Sequence, residues 1–148
     1  MKRWLSVAFC LAAIYGLAYA DLTLRARSAY YEGQKYLEWD RNPGLKKAHF
    51  EALLAVAEQE LRRDFQAGKF TAQELQAKLM LARFETDQRL SESALKYAYT
   101  WFKTAVDLFS PPESKWAALC RQQLPRAKAL WKKELEAKKI PYEDYQLE

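Results

Sequence analysis

The sequence predicts an all-α protein: about five helices arranged as antiparallel hairpins, in a stack or a small bundle, behind an N-terminal signal or anchor helix. Three observations predict it. Glycine and proline are scarce, four and five in 148 residues, while Ala, Leu, Glu, Lys, Gln and Arg, the strongest helix formers, dominate. Apolar residues recur at spacings of three and four, not two. Cap and stop residues leave connections of only a few residues, and short connections make sequential long helices antiparallel neighbours.

The first element is the N-terminal segment. Lys2 and Arg3 precede an uncharged stretch, residues 5–19, which is the pattern of a secretory signal. At about 1.5 Å per residue this stretch reaches roughly 22 Å as a helix, short of the roughly 30 Å of hydrocarbon in a bilayer. Gly16 is placed to loosen the helix ahead of the Ala20–Asp21 bond, and Ala18 and Ala20 are the small residues a signal peptidase reads. Cleavage before Asp21 is the expected fate of residues 1–20. The competing expectation is an uncleaved anchor, residues 4–20, with Trp4 and Tyr19 at the two membrane interfaces. Either fate places residues 21–148 outside the cytoplasm, periplasmic or secreted in the first case and membrane-anchored in the second. Bulky Phe9 ahead of Cys10 argues against a lipoprotein cysteine.

The helices follow in order. Residues 21–40 carry Ala26, Ala29, Gly33 and Leu37 on one face. Asn42 is placed to cap the second helix, with Pro43 in its first turn. That helix runs to about Ala67 with Phe50, Leu54, Ala57, Leu61 and Phe65 as its stripe and Gly68 as a left-handed stop. In "GKFTAQEL", Thr71 and Glu74 form a capping box, with Phe70 and Leu75 as its staple. The third helix extends to about Leu90. Ser91 is expected to cap the fourth, whose face is Leu95, Ala98, Phe102, Ala105 and Phe109. Ser110 and the two prolines after it open a fifth helix, in which Pro125 predicts a kink or break near Gln123 and Leu124. Pro141 ends the pattern. The domain expectation is an all-helical body over 21–139, followed by an acidic tail, 140–148.

Two stretches fifty residues apart, "LKKAHFEALLAV" and "LKYAYTWFKTAV", align at Leu, Lys, Ala, Ala and Val. The second of these resembles the B helix of a tetratricopeptide repeat: Ala98, Phe102 and Ala105 keep the Ala-x3-Phe-x2-Ala spacing, and Pro111 follows. Ala48, Ala52 and Ala55 stand at the corresponding positions of the first without the aromatic residue. Gly33 and Tyr36 resemble the small and aromatic residues of an A helix. The resemblance implies a right-handed stack of helical hairpins, although the period near fifty exceeds the family's usual value of about 34.

Composition narrows the chemistry. Removing Lys2 and Arg3 from 24 basic residues leaves 22 against 19 acidic ones, a charge of +3 without any continuous basic stripe, so nucleic acid is not an expected partner. Cys120 is the one cysteine after residue 20 and has no partner for an internal disulfide. His49 is the single histidine, so no His/Cys metal set exists and no cofactor is expected. Glu58 and Glu60, like Glu134 and Glu136, sit two apart and point in different directions on a helix. No phosphate loop or nucleophile motif is present, and the chain reads as a non-enzyme.

The aromatic content is high: five Trp, nine Tyr and seven Phe. The expected function is therefore an extracytoplasmic scaffold that docks a peptide or protein partner of the cell envelope in a groove between hairpins. Tyr36, Trp39, Tyr97 and Trp101 are the expected anchors, and Arg62, Arg63, Lys132 and Lys133 the steering charges. A single-span accessory subunit of a larger envelope complex and a small helical periplasmic enzyme are the two alternatives.

Overall fold

The structure is a computed structural model that describes residues 2–143; the side chains of Lys2, Arg3, Leu5 and Ser6 and the acidic end of the tail, residues 144–148, lie outside the described residues. Among the described residues five helices make up the fold: α1 (Lys2–Arg41), α2 (Pro43–Gln66), α3 (Ala72–Ser91), α4 (Ala94–Leu108) and α5 (Lys115–Ala137). The described residues contain no strand.

Local signals explain most boundaries. Gly68 takes a φ of +73°, its N–H donates to the Phe65 carbonyl, and Lys69 N–H donates to that of Asp64. These two bonds form a Schellman stop for α2, and glycine supplies the left-handed residue without a Cβ penalty. At α3, Thr71 Oγ1 accepts from Glu74 N–H while Glu74 Oε2 accepts from Thr71 N–H at 2.7 Å, so the predicted capping box forms.

Five expectations are corrected. Gly16 does not interrupt the first helix, and α1 runs for 40 residues without a break. One exposed helical glycine costs only about 1 kcal/mol, too little to break a run of good formers on both sides. The Asn42 side chain makes no capping bond; its carbonyl accepts from Leu45 N–H instead. Ser91 belongs to the last turn of α3, where its hydroxyl donates to the Gln88 carbonyl. The fifth helix starts at Lys115 behind Ser114, whose Oγ accepts from Ala117 N–H, because a residue preceding proline is disfavoured in the helical region and both Ser110 and Pro111 precede one. Finally, α5 passes through Pro125 without ending, since Cys120 before it and Ala127 after it are buried in the same core. Its true end is a second Schellman turn, with Lys139 at φ 55° and Ile140 N–H donating to Leu135, ahead of Pro141.

The chain divides into two compact units, residues 1–38 with 94–148, and residues 39–93. In the first, α4 packs on α5 and α1 supplies a third layer. Its core joins Ala29 and Leu37 of α1, Leu95, Ala98, Tyr99, Phe102 and Ala105 of α4, and Cys120 and Ala127 of α5. The predicted faces of α1 and α4 are thus the buried ones. Gly33 is needed for the close approach: a Cβ there would lie 2.6 Å from Phe102 Cζ and 2.8 Å from Cδ1. In the second unit α2 packs on α3. Trp39, at the end of α1, is buried in it against His49 and Phe50, with ring centroids 5.0 and 5.6 Å away. The Lys46 ammonium donates to the carbonyls of Leu90 and Glu92, which places a cation at the negative end of α3.

Candidate functional site

The most distinctive surface is the start of α1. Residues 7–20 are exposed on every side of the helix, and the helix they open, Val7–Arg41, is by length and composition long and apolar enough to cross a membrane. The exposed apolar surface does not stop at Ala20. Leu24 is 62% exposed, and residues 4–24 rise about 30 Å along an unbroken helix, close to the hydrocarbon thickness. Within that stretch the single charge is Asp21, and its carboxylate is paired with Arg25 at 2.8 Å one turn further on. From Ala26 onward one face of α1 turns into the core of the first unit.

The predicted anchors divide between the units. Tyr36 and Tyr97 are brought together, stacked at 5.1 Å with planes 21° apart, and both are half-buried. Trp101 is half-buried against the core of the same unit. Trp39 is only 6% exposed, so its ring is a packing element of the second unit and offers almost no contact area. Lys132 lies over the Tyr142 ring at 5.5 Å, and Lys133 is exposed. Arg62 faces Glu58 at 3.9 Å and, with Arg63, Val56 and Gln66, lines a shallow depression on α2. Ala18, Ala20 and Asp21, the predicted cleavage residues, all lie within the continuous helix.

Two groups escaped the sequence reading. Met80, Leu81 and Phe84 on the outer face of α3 are exposed, Met80 by 72%, and α3 has no buried residue at all. With Ala77 they recur at i, i+3, i+4 and i+7, so α3 carries a second apolar stripe opposite the one it turns to α2. That spacing was visible in the chain. The second group joins Arg27 and Tyr31 of α1 to Lys115 and Trp116 of α5: Tyr31 and Trp116 have centroids 5.4 Å apart, and the Arg27 guanidinium carbon lies 5.7 Å from both rings. Lys115 Nζ is 4.8 Å from the Trp116 ring. Nothing along the chain links residues 27–31 to 115–116, so only the fold reveals this cluster.

Reactive groups are held quiet. Burial pushes the Cys120 thiol up to about 11, away from thiolate chemistry. The Arg83 side chain donates to Glu58 at 2.8 Å and holds its carboxyl below the usual range. Among the described residues, no three His, Cys, Asp or Glu side chains gather to hold a metal ion. Between α2 and α3 an open groove of about 210 Å³ is lined by Phe50, Leu53, Leu54 and Ala57 facing Glu85, Thr86 and Arg89. Compared with family models, curated proteins and solved structures, the chain matches none. Its physical definition is that of an all-helical protein with an exposed apolar N-terminal helix.

Proposed function

We propose that the protein is a membrane-anchored helical interaction module, holding its two helical units outside the cytoplasm and docking a protein or peptide partner of the cell envelope. The observation that carries this reading is the unbroken helix α1, whose first half is exposed and apolar and whose second half is built into a core. A signal peptide detaches from the body it exports, whereas here the apolar rod and the body share one helix, which favours retention over the cleavage expected from residues 18–21. Lys2 and Arg3 ahead of the apolar run support an N-terminus on the cytoplasmic side.

Docking is attributed to exposed apolar surface instead of to Trp39. The outer stripe of α3, Ala77, Met80, Leu81 and Phe84, has the i, i+3, i+4, i+7 spacing with which a helix meets a partner helix or an apolar groove. The likeness to a tetratricopeptide repeat contributes one element: Ala98, Phe102 and Ala105 are fully buried, as small and aromatic residues between stacked helices are. A scaffold is preferred to an enzyme because the groove between α2 and α3 is open and its α2 wall is apolar, Phe50, Leu53, Leu54 and Ala57.

The test is direct. Mass spectrometry of the full-length product purified from membranes should give a chain that retains residues 4–20 and resists extraction by alkaline carbonate; a mature start at Asp21 in a soluble fraction would remove the anchor. Co-purification of a defined partner should be lost on Phe84→Glu with Met80→Glu while helix content is unchanged.

A further inference from the structure

We infer that Arg27, Tyr31, Lys115 and Trp116 form a collar that seats the first unit on the phosphate layer of an anionic bilayer. This rests on the reading of α1 as a retained anchor. The rigid helix sets the depth. With Leu24 at the edge of the hydrocarbon, Arg27 sits about 4.5 Å beyond it, inside a headgroup layer roughly 5–7 Å thick, and the Tyr31 backbone about 10 Å beyond it, just outside that layer.

Direction agrees with depth. Side chains on a helix lean toward its N-terminus, so those of Arg27 and Tyr31 lean toward the bilayer. Leu24, Arg27 and Tyr31 recur at i, i+3 and i+7 and are all exposed, Tyr31 by 52%, while Ala26 and Ala29 on the opposite side are buried. The start of α5 completes the collar by laying Trp116 against Tyr30 and Tyr31, at 5.6 and 5.4 Å. Tyr and Trp are the residues that settle at headgroup level, where their rings are apolar and their N–H or O–H remains wet.

Charge completes the argument. Arg27 and Lys115 rest on ring faces, not on carboxylates, so a lipid phosphate can take their N–H groups without displacing an ion pair. The nearby acids are already matched: Asp21 with Arg25 at 2.8 Å and Glu113 with Arg121 at 3.0 Å. Arg27 and Lys115 therefore present a local positive excess beside the apolar rod, the arrangement that an anionic surface attracts.

The experiment uses the full chain labelled with 5-fluorotryptophan in bicelles of phosphatidylcholine with a minority of phosphatidylglycerol, doped with a lipid whose headgroup carries chelated gadolinium. The Trp116 fluorine signal, assigned with Trp116→Phe, should relax much faster than that of Trp131, about 22 Å further along α5. Arg27→Gln with Lys115→Gln should weaken the docking equilibrium about fivefold per cation removed and so lower the enhancement at Trp116, Arg27→Lys with Lys115→Arg should restore it, and added salt should weaken it. Unchanged Trp101 and Trp131 shifts certify the fold of the variants. A chain that fails to enter the bicelles, with Trp4 unrelaxed, overturns the anchor and the collar together. Relaxed Trp4 with a silent Trp116, or a Trp116 enhancement that persists in the double-Gln variant or in pure phosphatidylcholine, overturns the collar alone.

Discussion

Gly33 and Phe102 show how one missing atom can set a helix separation. The α1 backbone lies against the Phe102 ring, where a methyl group would overlap ring carbons, and Phe102 itself is fully buried. Gly33→Ala is therefore expected to lower stability by about 1–3 kcal/mol through overpacking, read as a lower thermal midpoint. Lys139 is the converse case. It holds a left-handed φ of 55° without being glycine, so Lys139→Gly should raise stability by up to about 1 kcal/mol in the same assay. The two cysteines differ in reach: Cys10 is exposed and Cys120 buried with its thiol pushed up to about 11. In a Cys10→Ser chain, maleimide should label Cys120 only after denaturation, and labelling without denaturant would contradict this packing.

Among the elements, α3 depends most on its own ends and least on a core. Its capping box joins Thr71 and Glu74, and none of its residues is buried. Thr71→Ala should cost about 1 kcal/mol. The backbone N–H of Thr71, together with its hydroxyl, holds the Glu74 carboxyl below its ordinary value of 4.5. A depressed carboxylate stabilises the fold fully above that ordinary value and loses its effect as pH falls through the lowered one. Acid titration by circular dichroism should therefore show helix loss below about pH 4.5, with a shallower slope in Glu74→Gln. Helix α4 is the opposite kind of element, with Leu95, Ala98, Tyr99, Phe102 and Ala105 all buried, so its boundaries matter less than its face.

At the scale of the molecule, the two units differ in what holds them. The first buries residues from α1, α4 and α5 in one cluster, whereas the second leaves Leu53, Val56, Met80, Leu81 and Phe84 exposed on a helical pair. Local opening costs least where few apolar contacts are lost. Amide hydrogen exchange should accordingly be faster across α3 than across α4; equal protection would mean that the hairpin is better buttressed than its exposure implies. Binding of a partner to the outer α3 stripe should slow exchange there first.

The amino-acid sequence alone determined the helices, the stop at Gly68, the capping box at Thr71 and the buried faces of α1 and α4, because each of these is written within one or two turns of chain. It also marked residues 4–20 as apolar. Tertiary structure decided the rest: that α5 survives Pro125, that Trp39 faces inward, and that Arg27 and Tyr31 meet Lys115 and Trp116. The physical reason is range. Caps and periodicities act between residues a few positions apart, whereas burial of Trp39 or assembly of the collar depends on surfaces contributed by helices distant along the chain, and no local spacing encodes which of two apolar faces will find a neighbour.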